Sequence, residues 1–342
     1  MKITVLCGGT SNERDVSISS GTGIAAALRK KGHAVALVDL FTGVKELPAD
    51  INQLFLTGET NDASTVAERA PDVRKLKAAR RRGELIGPHV LDLCRAADVT
   101  FLALHGEEGE NGKLQGLLDI YRIRYTGSSC LGSAIAMNKG VSKTLLKAAG
   151  VPVPEGLVLR AGETTRPAFG FPCVVKPCSG GSSVGTAVGV TEENYEAALA
   201  EAFCYEDRVL VEPYIRGREI TVGVLDGKAM PSIEIIPKSG FYDYKNKYQS
   251  GFTTELCPAP LTPEQNERAA RLAELAFAAL QMKAYGRVDF IMDESGEFYC
   301  LEANTLPGMT PTSLVPQMGA AMGMDFGALC EKLIEVSMRK YQ

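Results

Sequence analysis

The sequence predicts an α/β protein, and three observations lead to this prediction. Residues 2–7 are an apolar run of strand type, followed by a helical pattern over residues 17–31 and a second apolar run over residues 33–40. This strand–helix–strand order predicts a parallel sheet. Farther along, RVDFIM (287–292) and FYCLEAN (298–304) are typical of two strands of a hairpin. A length of 342 residues exceeds one ordinary core and indicates two or three domains.

The composition is that of a globular protein, with 45% hydrophobic and 23% charged residues. A net charge of −4 and the lack of a basic stripe with interleaved aromatic residues predict no nucleic-acid partner. The nine cysteines form no CxxC pair and several lie in apolar runs, which is the pattern of reduced thiols. The chain enters its first strand directly and has no apolar run long enough to cross a bilayer, so we expect a cytoplasmic protein with no membrane partner.

Ligand-binding side chains are expected at the carboxyl ends of the parallel strands. The first strand opens into the loop GGTSNERDVS (8–17), which carries Glu13, and the apolar run VTFLALHG (99–106) ends beside His105. Both positions are compatible with substrate contact; an exposed charge and a structural histidine are the alternatives. The first loop lacks the GxGxxG pattern of dinucleotide sites, which disfavours a nicotinamide-dependent dehydrogenase.

A second group of residues indicates phosphate binding. A helical pattern over residues 133–150 places Lys139 and Lys143 four residues apart, on one face. The strand that ends at Lys176 opens into CSGGSSVG (178–185), a type of loop whose backbone N–H groups can surround phosphate oxygens. An ordinary glycine–serine turn is the alternative, although a lysine leading from a strand directly into such a loop is more specific.

The segment 238–253 is polar, rich in tyrosine and lysine, and contains Gly240 and Gly251. This composition is compatible with a mobile lid over a site. A packed hairpin is the alternative, and the sequence does not separate the two interpretations.

The hairpin of residues 287–304 gathers polar side chains on one face. With a turn at residues 293–296, Met292 would pair with Glu297, and the register would bring four side chains to one side of the sheet: Arg287, Asp289, Glu302 and Asn304. Carboxylate and amide oxygens next to an arginine suit Mg²⁺ that carries a polyphosphate. A solvated face of an edge hairpin is the alternative.

Six motifs together resemble the D-alanine–D-alanine ligase family of the ATP-grasp superfamily. They occur in the family's order: GGTSNERDVS, LHGEEGENG, VVKPCSGGSSVG, FYDYKNKY, GRVDF and LEANTLPGMTPTSLVP. The resemblance implies an ATP-grasp fold of three domains: an N-terminal substrate-binding domain with a parallel βαβ sheet (1–127), a central domain (128–212) and a C-terminal catalytic domain (213–342). It also implies a homodimer.

The resemblance further implies the groups that bind ATP and metal. Two Mg²⁺ (or Mn²⁺) ions would be held by Asp289, Glu302 and Asn304. Six residues would bind the nucleotide, through its phosphates, adenine and ribose: Lys139, Lys176, Ser182, Ser183, Glu212 and Glu219. One departure from the family pattern is Pro213, where many relatives carry a lysine.

On the substrate side, the resemblance assigns Glu13 to the ammonium of the first D-alanine, with His105 nearby. Two groups would stabilise the charge of the acyl phosphate and of the tetrahedral intermediate: Arg287 and the backbone N–H of Gly308. The carboxylate of the second D-alanine would be held by Lys247 and Ser313, and the lid would be latched by Tyr248 with Ser182 and Glu13.

The implied activity is ATP-dependent formation of D-alanyl-D-alanine through a D-alanyl phosphate, for peptidoglycan precursor synthesis. D-Lactate and D-serine are the alternative second substrates, and Tyr248 after Lys247 favours D-alanine. Another ATP-grasp carboxylate–amine ligase and a catalytically inactive nucleotide-binding regulator are the rival interpretations. The substrate-side motifs argue against the first, and the intact set Arg287, Asp289, Glu302 and Asn304 argues against the second.

Overall fold

The computed structural model describes residues 1–56, 78, 84–181, 183–238 and 252–342. Within these residues the strands form three sheets, which follow one another along the chain. The first is parallel and the other two are antiparallel. The predicted α/β class with a parallel sheet at the N-terminus is therefore confirmed.

The first sheet contains β1 (Lys2–Cys7), β2 (Ala34–Asp39) and β3 (Val99–Leu102), in the order β2-β1-β3. Helix α1 (Arg14–Lys30) connects β1 to β2 and packs its apolar side on both strands. Because β1 is the central strand, the loop that carries Glu13 lies at the middle of the sheet's carboxyl edge, as the βαβ pattern predicted.

Shorter helices accompany this sheet in the described residues: α2 (Gln53–Leu56), α3 (Val90–Ala96), α4 (Glu107–Glu110) and α5 (Lys113–Ile120). Residues 107–113 (EEGENGK) have no apolar periodicity, and this pattern predicts a loop; the structure instead has helix α4 there. Residues 123–127 (IRYTG) predict a strand from their sequence; in the structure this segment contributes only an isolated bridge between Tyr125 and Thr100.

The helix predicted over residues 133–150 is divided in two, into α6 (Cys130–Met137) and α7 (Lys139–Ala148). Asn138 separates them because its backbone is extended, with φ −87° and ψ 100°, and its side-chain oxygen accepts a backbone N–H of α7 at 3.0 Å. Asparagine is favoured at such helix starts. The backbone N–H of Lys139 donates to the carbonyl of Cys178 at 2.9 Å, which fixes the start of α7 beside the glycine-rich loop.

The second sheet consists of β4 (Leu157–Arg160), β5 (Cys173–Pro177), β6 (Ala187–Val190) and β7 (Arg208–Pro213). Their order is β4-β7-β5-β6. Helix α8 (Tyr195–Phe203) packs on β5, β6 and β7. The glycine-rich loop leaves the end of β5, so Lys176 lies at the base of that loop.

The third sheet consists of β8 (Gly217–Leu225), β9 (Lys228–Pro237), β10 (Thr253–Leu256), β11 (Tyr285–Asp293) and β12 (Phe298–Asn304). Their order is β10-β9-β8-β11-β12. Helix α9 (Pro263–Ala279) begins with a capping box between Thr262 and Gln265 and packs on this sheet. The two strands predicted around the turn at residues 293–296 are confirmed.

The chain then returns to the first sheet through α10 (Leu314–Ala321), α11 (Phe326–Met338) and a 3₁₀ turn (Arg339–Tyr341). Leu333 and Ile334 of α11 share a hydrophobic core with Ile3 and Val5 of β1. The C-terminal third therefore contributes to the core of the N-terminal third, and the domain boundaries at 127 and 212 stay predictions. Within the described residues, no helix has both the length and the apolar character needed to cross a membrane.

Candidate active site

The register predicted for the β11–β12 hairpin was wrong, because Met292 pairs with Phe298 instead of Glu297. Just after Asp289 the pairing shifts by one residue, as it does at a β-bulge. Without this shift Glu302 would lie on the opposite side of the sheet from Asp289, since a one-residue slip moves a side chain to the other face. The bulge therefore creates the shared polar face.

With the bulge, Asp289 lies opposite Glu302 and Arg287 lies opposite Asn304. Directly opposite side chains on one face have Cβ atoms about 5 Å apart. The prediction that these four residues share one side of the sheet is confirmed, and together they are referred to as the hairpin face.

The carboxylate of Asp289 accepts hydrogen bonds from three other side chains. Arg287 donates to both of its carboxylate oxygens, from Nε at 2.9 Å and from Nη2 at 2.8 Å. The Thr221 hydroxyl donates to Oδ1 at 2.6 Å, and the Asn304 amide nitrogen donates to Oδ2 at 2.9 Å. These contacts fix the buried carboxylate and direct the amide nitrogen of Asn304, not its oxygen, toward Asp289.

Glu302 connects the hairpin face to the glycine-rich loop. Its Oε2 lies 3.1 Å from the Lys139 ammonium, which also donates to the Gly180 carbonyl at 2.7 Å. Lys139 is 7% exposed, so this ion pair is largely shielded from water. Lys139 thus joins three segments of the chain: the start of α7, the loop after β5 and the end of β12.

A second charged group is formed by Lys143, Lys176 and Glu212, and is referred to as the Glu212 cluster. The Lys176 ammonium lies 2.6 Å from Glu212 Oε2, and Lys143 pairs with Glu212 Oε1. Burial acts to raise the pKa of Glu212, but the charges of Lys176 and Lys143 outweigh it and hold the pKa below its ordinary value. Burial lowers the pKa of Lys143, whereas the Glu212 carboxylate outweighs burial and raises the pKa of Lys176.

Glu13 lies at the start of α1, is 8% exposed, and faces the loops that follow β3 and β5. A Cβ atom on either Gly106 or Gly181 would lie 2.8 Å from its Oε2 atom. The absence of a side chain at both positions lets these loops approach the carboxylate this closely. The contact brings the N-terminal sheet and the glycine-rich loop together at one point.

Gly308 and Ser313 lie against each other in the loop between β12 and α10. A Cβ atom on Gly308 would lie 2.7 Å from the Ser313 hydroxyl oxygen, so a larger residue would displace Ser313. That hydroxyl accepts the Thr310 backbone N–H at 2.9 Å. The loop is thus folded tightly on itself beside the hairpin face.

His105 contacts the same loop from the N-terminal side. Its Nδ1 lies 2.9 Å from the Leu306 carbonyl and its Nε2 lies 3.1 Å from the Ser20 hydroxyl. Burial lowers the pKa of the ring, which is therefore neutral at physiological pH. Both ring nitrogens have protein partners; the role of His105 as a substrate contact stays a prediction.

Glu110 is a site residue that sequence reasoning did not select. Its carboxylate accepts the Gly106 N–H at 2.7 Å and the Leu306 N–H at 3.2 Å. Burial and the negative charge of Glu13 raise the pKa of Glu110 to about 7. The motif LHGEEGENG contains three glutamates within four residues, and the sequence gives no signal of which one faces the site.

Two adjoining cavities occupy the space between these elements. The larger, of about 460 Å³, is lined by the second and third sheets and includes Glu212 and Glu219. The smaller, of about 70 Å³, is lined by Glu13, Arg287 and Ser313 among others. Three residues line both cavities: Lys139, Gly180 and Glu302. A large ligand in the first cavity and a small one in the second would therefore meet at these three residues.

Four predicted site residues remain: Ser182, Ser183, Lys247 and Tyr248. Ser182, Lys247 and Tyr248 lie outside the described residues, as does most of the predicted lid. Ser183 lines the larger cavity with a left-handed backbone, at φ 58°. The predicted latch between Tyr248, Ser182 and Glu13 therefore stays a prediction.

The sequence matches two family models that cover most of the chain. The model described as "D-ala D-ala ligase N-terminus" matches residues 2–128, and the one described as "D-ala D-ala ligase C-terminus" matches residues 145–335.

Full-length relatives give the same result. The chain is 41% identical to the D-alanine–D-alanine ligase of Pediococcus pentosaceus, over 100% of this chain and 99% of that protein. Its fold is similar to the crystal structure of the Bacillus anthracis D-alanine–D-alanine ligase complexed with ATP, with a TM-score of 0.77, 30% identity and coverage of 99% and 98%. It is also similar to the D-Ala:D-Ser ligase VanG of Enterococcus faecalis, with a TM-score of 0.72, 27% identity and coverage of 98% and 99%. The chain belongs to the D-alanine–D-alanine ligase family, whose fold is ATP-grasp.

Proposed function

We propose that this protein joins two D-alanines to D-alanyl-D-alanine, uses ATP, and forms a D-alanyl phosphate on the way. The observation that carries the proposal is the meeting of a large cavity and a small one at Lys139, Gly180 and Glu302. ATP in the large cavity would direct its γ-phosphate to this junction. An amino acid held by Glu13 in the small cavity would present its carboxylate there.

The nucleotide is assigned to the larger cavity because its volume and its charges suit ATP. A volume of about 460 Å³ lies within the range usual for ligand sites. We assign Glu212 to the adenine amino group, Glu219 to the ribose, and the following groups to the phosphates: Lys139, Lys176 and the loop residues Ser182 and Ser183. Lys139 already lies at the junction of the two cavities, which supports its contact with the γ-phosphate.

The donor set of the hairpin face fits Mg²⁺ or Mn²⁺. Two carboxylates and an amide are hard oxygen donors, and they lie on neighbouring strands at paired positions. No group of three or more His, Cys, Asp or Glu side chains suited to a metal occurs in the described part of the chain, so Asn304 would be needed to complete the set. We assign two metal ions to Asp289, Glu302 and Asn304; when bound, the ions would neutralise the phosphate charge.

The chemical steps follow from the weakness of a carboxylate as an acyl donor. A carboxylate oxygen of the first D-alanine attacks the γ-phosphorus of ATP, the bond to ADP breaks, and D-alanyl phosphate forms. The unprotonated amine of the second D-alanine then attacks the carbonyl carbon, and inorganic phosphate leaves. Glu13 holds the first ammonium, while Arg287 and the Gly308 N–H stabilise the charge that develops on the reacting oxygens.

D-Alanine is proposed as the second substrate. Ser313 lines the small cavity beside Gly308, and with Lys247 it would hold the second carboxylate. The resemblance of the VanG D-Ala:D-Ser ligase shows that closely similar folds are named for a different second substrate. We also propose a homodimer and a cytoplasmic location, as the family resemblance implied.

The test is phosphate release from ATP and Mg²⁺, with product identification by mass spectrometry. D-Alanine alone should give phosphate and D-alanyl-D-alanine, whereas L-alanine should give neither. D-Alanine with D-lactate or D-serine should add no mixed product. ATP binding without turnover on any of these substrates would contradict the proposal and favour a nucleotide-binding regulator.

A further inference from the structure

The loop from Leu306 to Met309 is hydrogen-bonded to side chains of the N-terminal third of the chain. The Leu306 N–H donates to Glu110 at 3.2 Å and its carbonyl accepts from His105 at 2.9 Å. The Met309 N–H donates to the Ser20 hydroxyl at 3.3 Å. Three backbone groups of this short loop, on both sides of Gly308, are thus hydrogen-bonded to residues from the N-terminal part of the sequence.

The direction of each hydrogen bond through Ser20 and His105 is determined. A carbonyl only accepts, so His105 Nδ1 must carry the proton that faces Leu306. Because burial keeps the ring neutral, Nε2 is an acceptor and receives the Ser20 O–H at 3.1 Å. Ser20 in turn accepts the Met309 N–H through a lone pair. The result is one continuous chain of donors and acceptors, from Met309 through Ser20 and His105 to Leu306.

Ser20 is fully buried on α1 and links Met309 to His105 in this series of hydrogen bonds. It bonds both the loop directly and the ring that holds the loop. Gly308 lies between the two fastened backbone positions, so the direction of its N–H depends on them. A donor stabilises developing charge only when it is held in the right place before the reaction begins.

We propose that Ser20, together with His105, is a positioning residue that holds the Gly308 N–H in place for the acyl-transfer step. This inference rests on the proposed function, and it assigns a role to a residue of α1 that lines neither of the two cavities. Glu110 supports the same loop through Leu306, but its pKa is raised to about 7 by burial and by Glu13, so Ser20, which does not titrate, gives the cleaner test.

Ser17 offers a matched control on the same helix. It is also fully buried, and its hydroxyl donates to the Ala103 carbonyl at 2.7 Å, within the N-terminal sheet region. Ser17→Ala and Ser20→Ala each remove one buried hydroxyl from α1. They differ in whether the Leu306–Met309 loop loses a contact.

The first measurement is amide hydrogen exchange in the full-length protein without substrates. In Ser20→Ala the Met309 amide should exchange about 10-fold faster than in wild type, with a smaller increase at Leu306; Ser17→Ala should leave both unchanged. Equal exchange at these amides in the two variants would overturn the proposal. This measurement is independent of activity, so it gives a result even if the wild-type protein fails to ligate D-alanine.

The second measurement is steady-state ligation. Ser20→Ala should lower kcat about 10-fold while KM for ATP stays at the wild-type value, because misplaced supporting groups commonly cost that much. Ser20→Cys, which keeps a weak donor and acceptor at the same position, should recover part of the loss. An unchanged kcat in Ser20→Ala, or an equal loss in Ser17→Ala, would overturn the proposal. Failure of the wild-type protein to form the dipeptide would instead contradict the proposed function.

Discussion

The Glu212 cluster and the hairpin face carry opposite net charge, and both contribute side chains to the larger cavity: Lys176 and Glu212 from the first, Asp289 and Glu302 from the second. In the Glu212 cluster two ammonium groups, of Lys143 and Lys176, surround one carboxylate, which leaves one positive charge. In the hairpin face one guanidinium accompanies two carboxylates, which leaves one negative charge. Lys139 reaches the second of these carboxylates, Glu302, from outside the face.

The difference indicates how one cavity can bind both anionic and cationic groups. A positive cluster with a fully paired carboxylate suits the purine and the phosphates of a nucleotide, since it needs no further cation. A negative face with hard oxygen donors suits divalent cations. Phosphates between the two regions would then be attracted from both sides. Substitutions in the hairpin face should therefore affect metal-dependent chemistry. Substitutions in the Glu212 cluster should affect stability and nucleotide binding.

The largest effect is expected at the hairpin face. Glu302→Gln removes one negative charge and should lower the rate of phosphate release by roughly 1,000-fold, about 4 kcal/mol of transition-state stabilisation, while the protein stays folded. Glu297→Gln is the control, because Glu297 lies on the same hairpin but is only half-buried and pairs with Arg268 instead of a residue of the hairpin face. Activity of Glu302→Gln close to that of Glu297→Gln would eliminate the metal assignment.

The Glu212 cluster should respond in stability. Lys143→Met leaves the buried Glu212 with one lysine and should lower the free energy of unfolding by about 3 kcal/mol, because an ion pair in the interior is broken. Lys147→Met is the control on the same helix, where the side chain is exposed. Denaturant titration compares the two, and ATP titration should show weaker binding in Lys143→Met alone. Equal unfolding free energies would mean that Lys143 does not stabilise Glu212.

A smaller, pH-dependent effect is expected at Glu110. Its folded-state pKa is raised from 4.5 to about 7, so the stability that the protonated carboxyl contributes is complete below pH 4.5 and is lost as pH rises through about 7. Glu110→Gln does not titrate. The stability difference between variant and wild type should therefore shift in the variant's favour by about 2–3 kcal/mol from pH 5 to pH 8.

Thermal unfolding at several pH values measures this shift, with Glu108→Gln on the same helix as the control. A difference between wild type and Glu110→Gln that stays constant over this range would show that Glu110 does not titrate in it. Such a result would mean that burial and the charge of Glu13 do not raise the pKa of Glu110.

The sequence was informative where a residue's neighbours are local. Lys176 at the end of a strand before a glycine-rich loop was predicted from chemistry alone, and so was the shared face of Arg287 and Asp289 on one strand. Both rest on the two-residue period of a strand or on direct succession in the chain. The structure has the same local arrangement.

The sequence was uninformative where position depends on distant contacts. The bulge after Asp289 adds one residue to β12, and no residue type in FYCLEAN marks it. The division of the predicted helix at Asn138 interrupts an otherwise helical pattern. Glu110 bonds Leu306, which is 196 residues away, and Ser20 bonds Met309, which is 289 residues away. Sequence periodicity carries no information about contacts at this separation.

The most direct test of the proposed reaction follows oxygen atoms. D-Alanine labelled with ¹⁸O at both carboxylate oxygens is incubated with the wild-type protein, ATP and Mg²⁺, and the released phosphate is analysed by mass spectrometry. If a carboxylate oxygen attacks the γ-phosphorus and later leaves with it, each phosphate should carry one ¹⁸O atom. Phosphate without ¹⁸O, or label in AMP, would contradict an acyl phosphate at the junction of Lys139, Gly180 and Glu302.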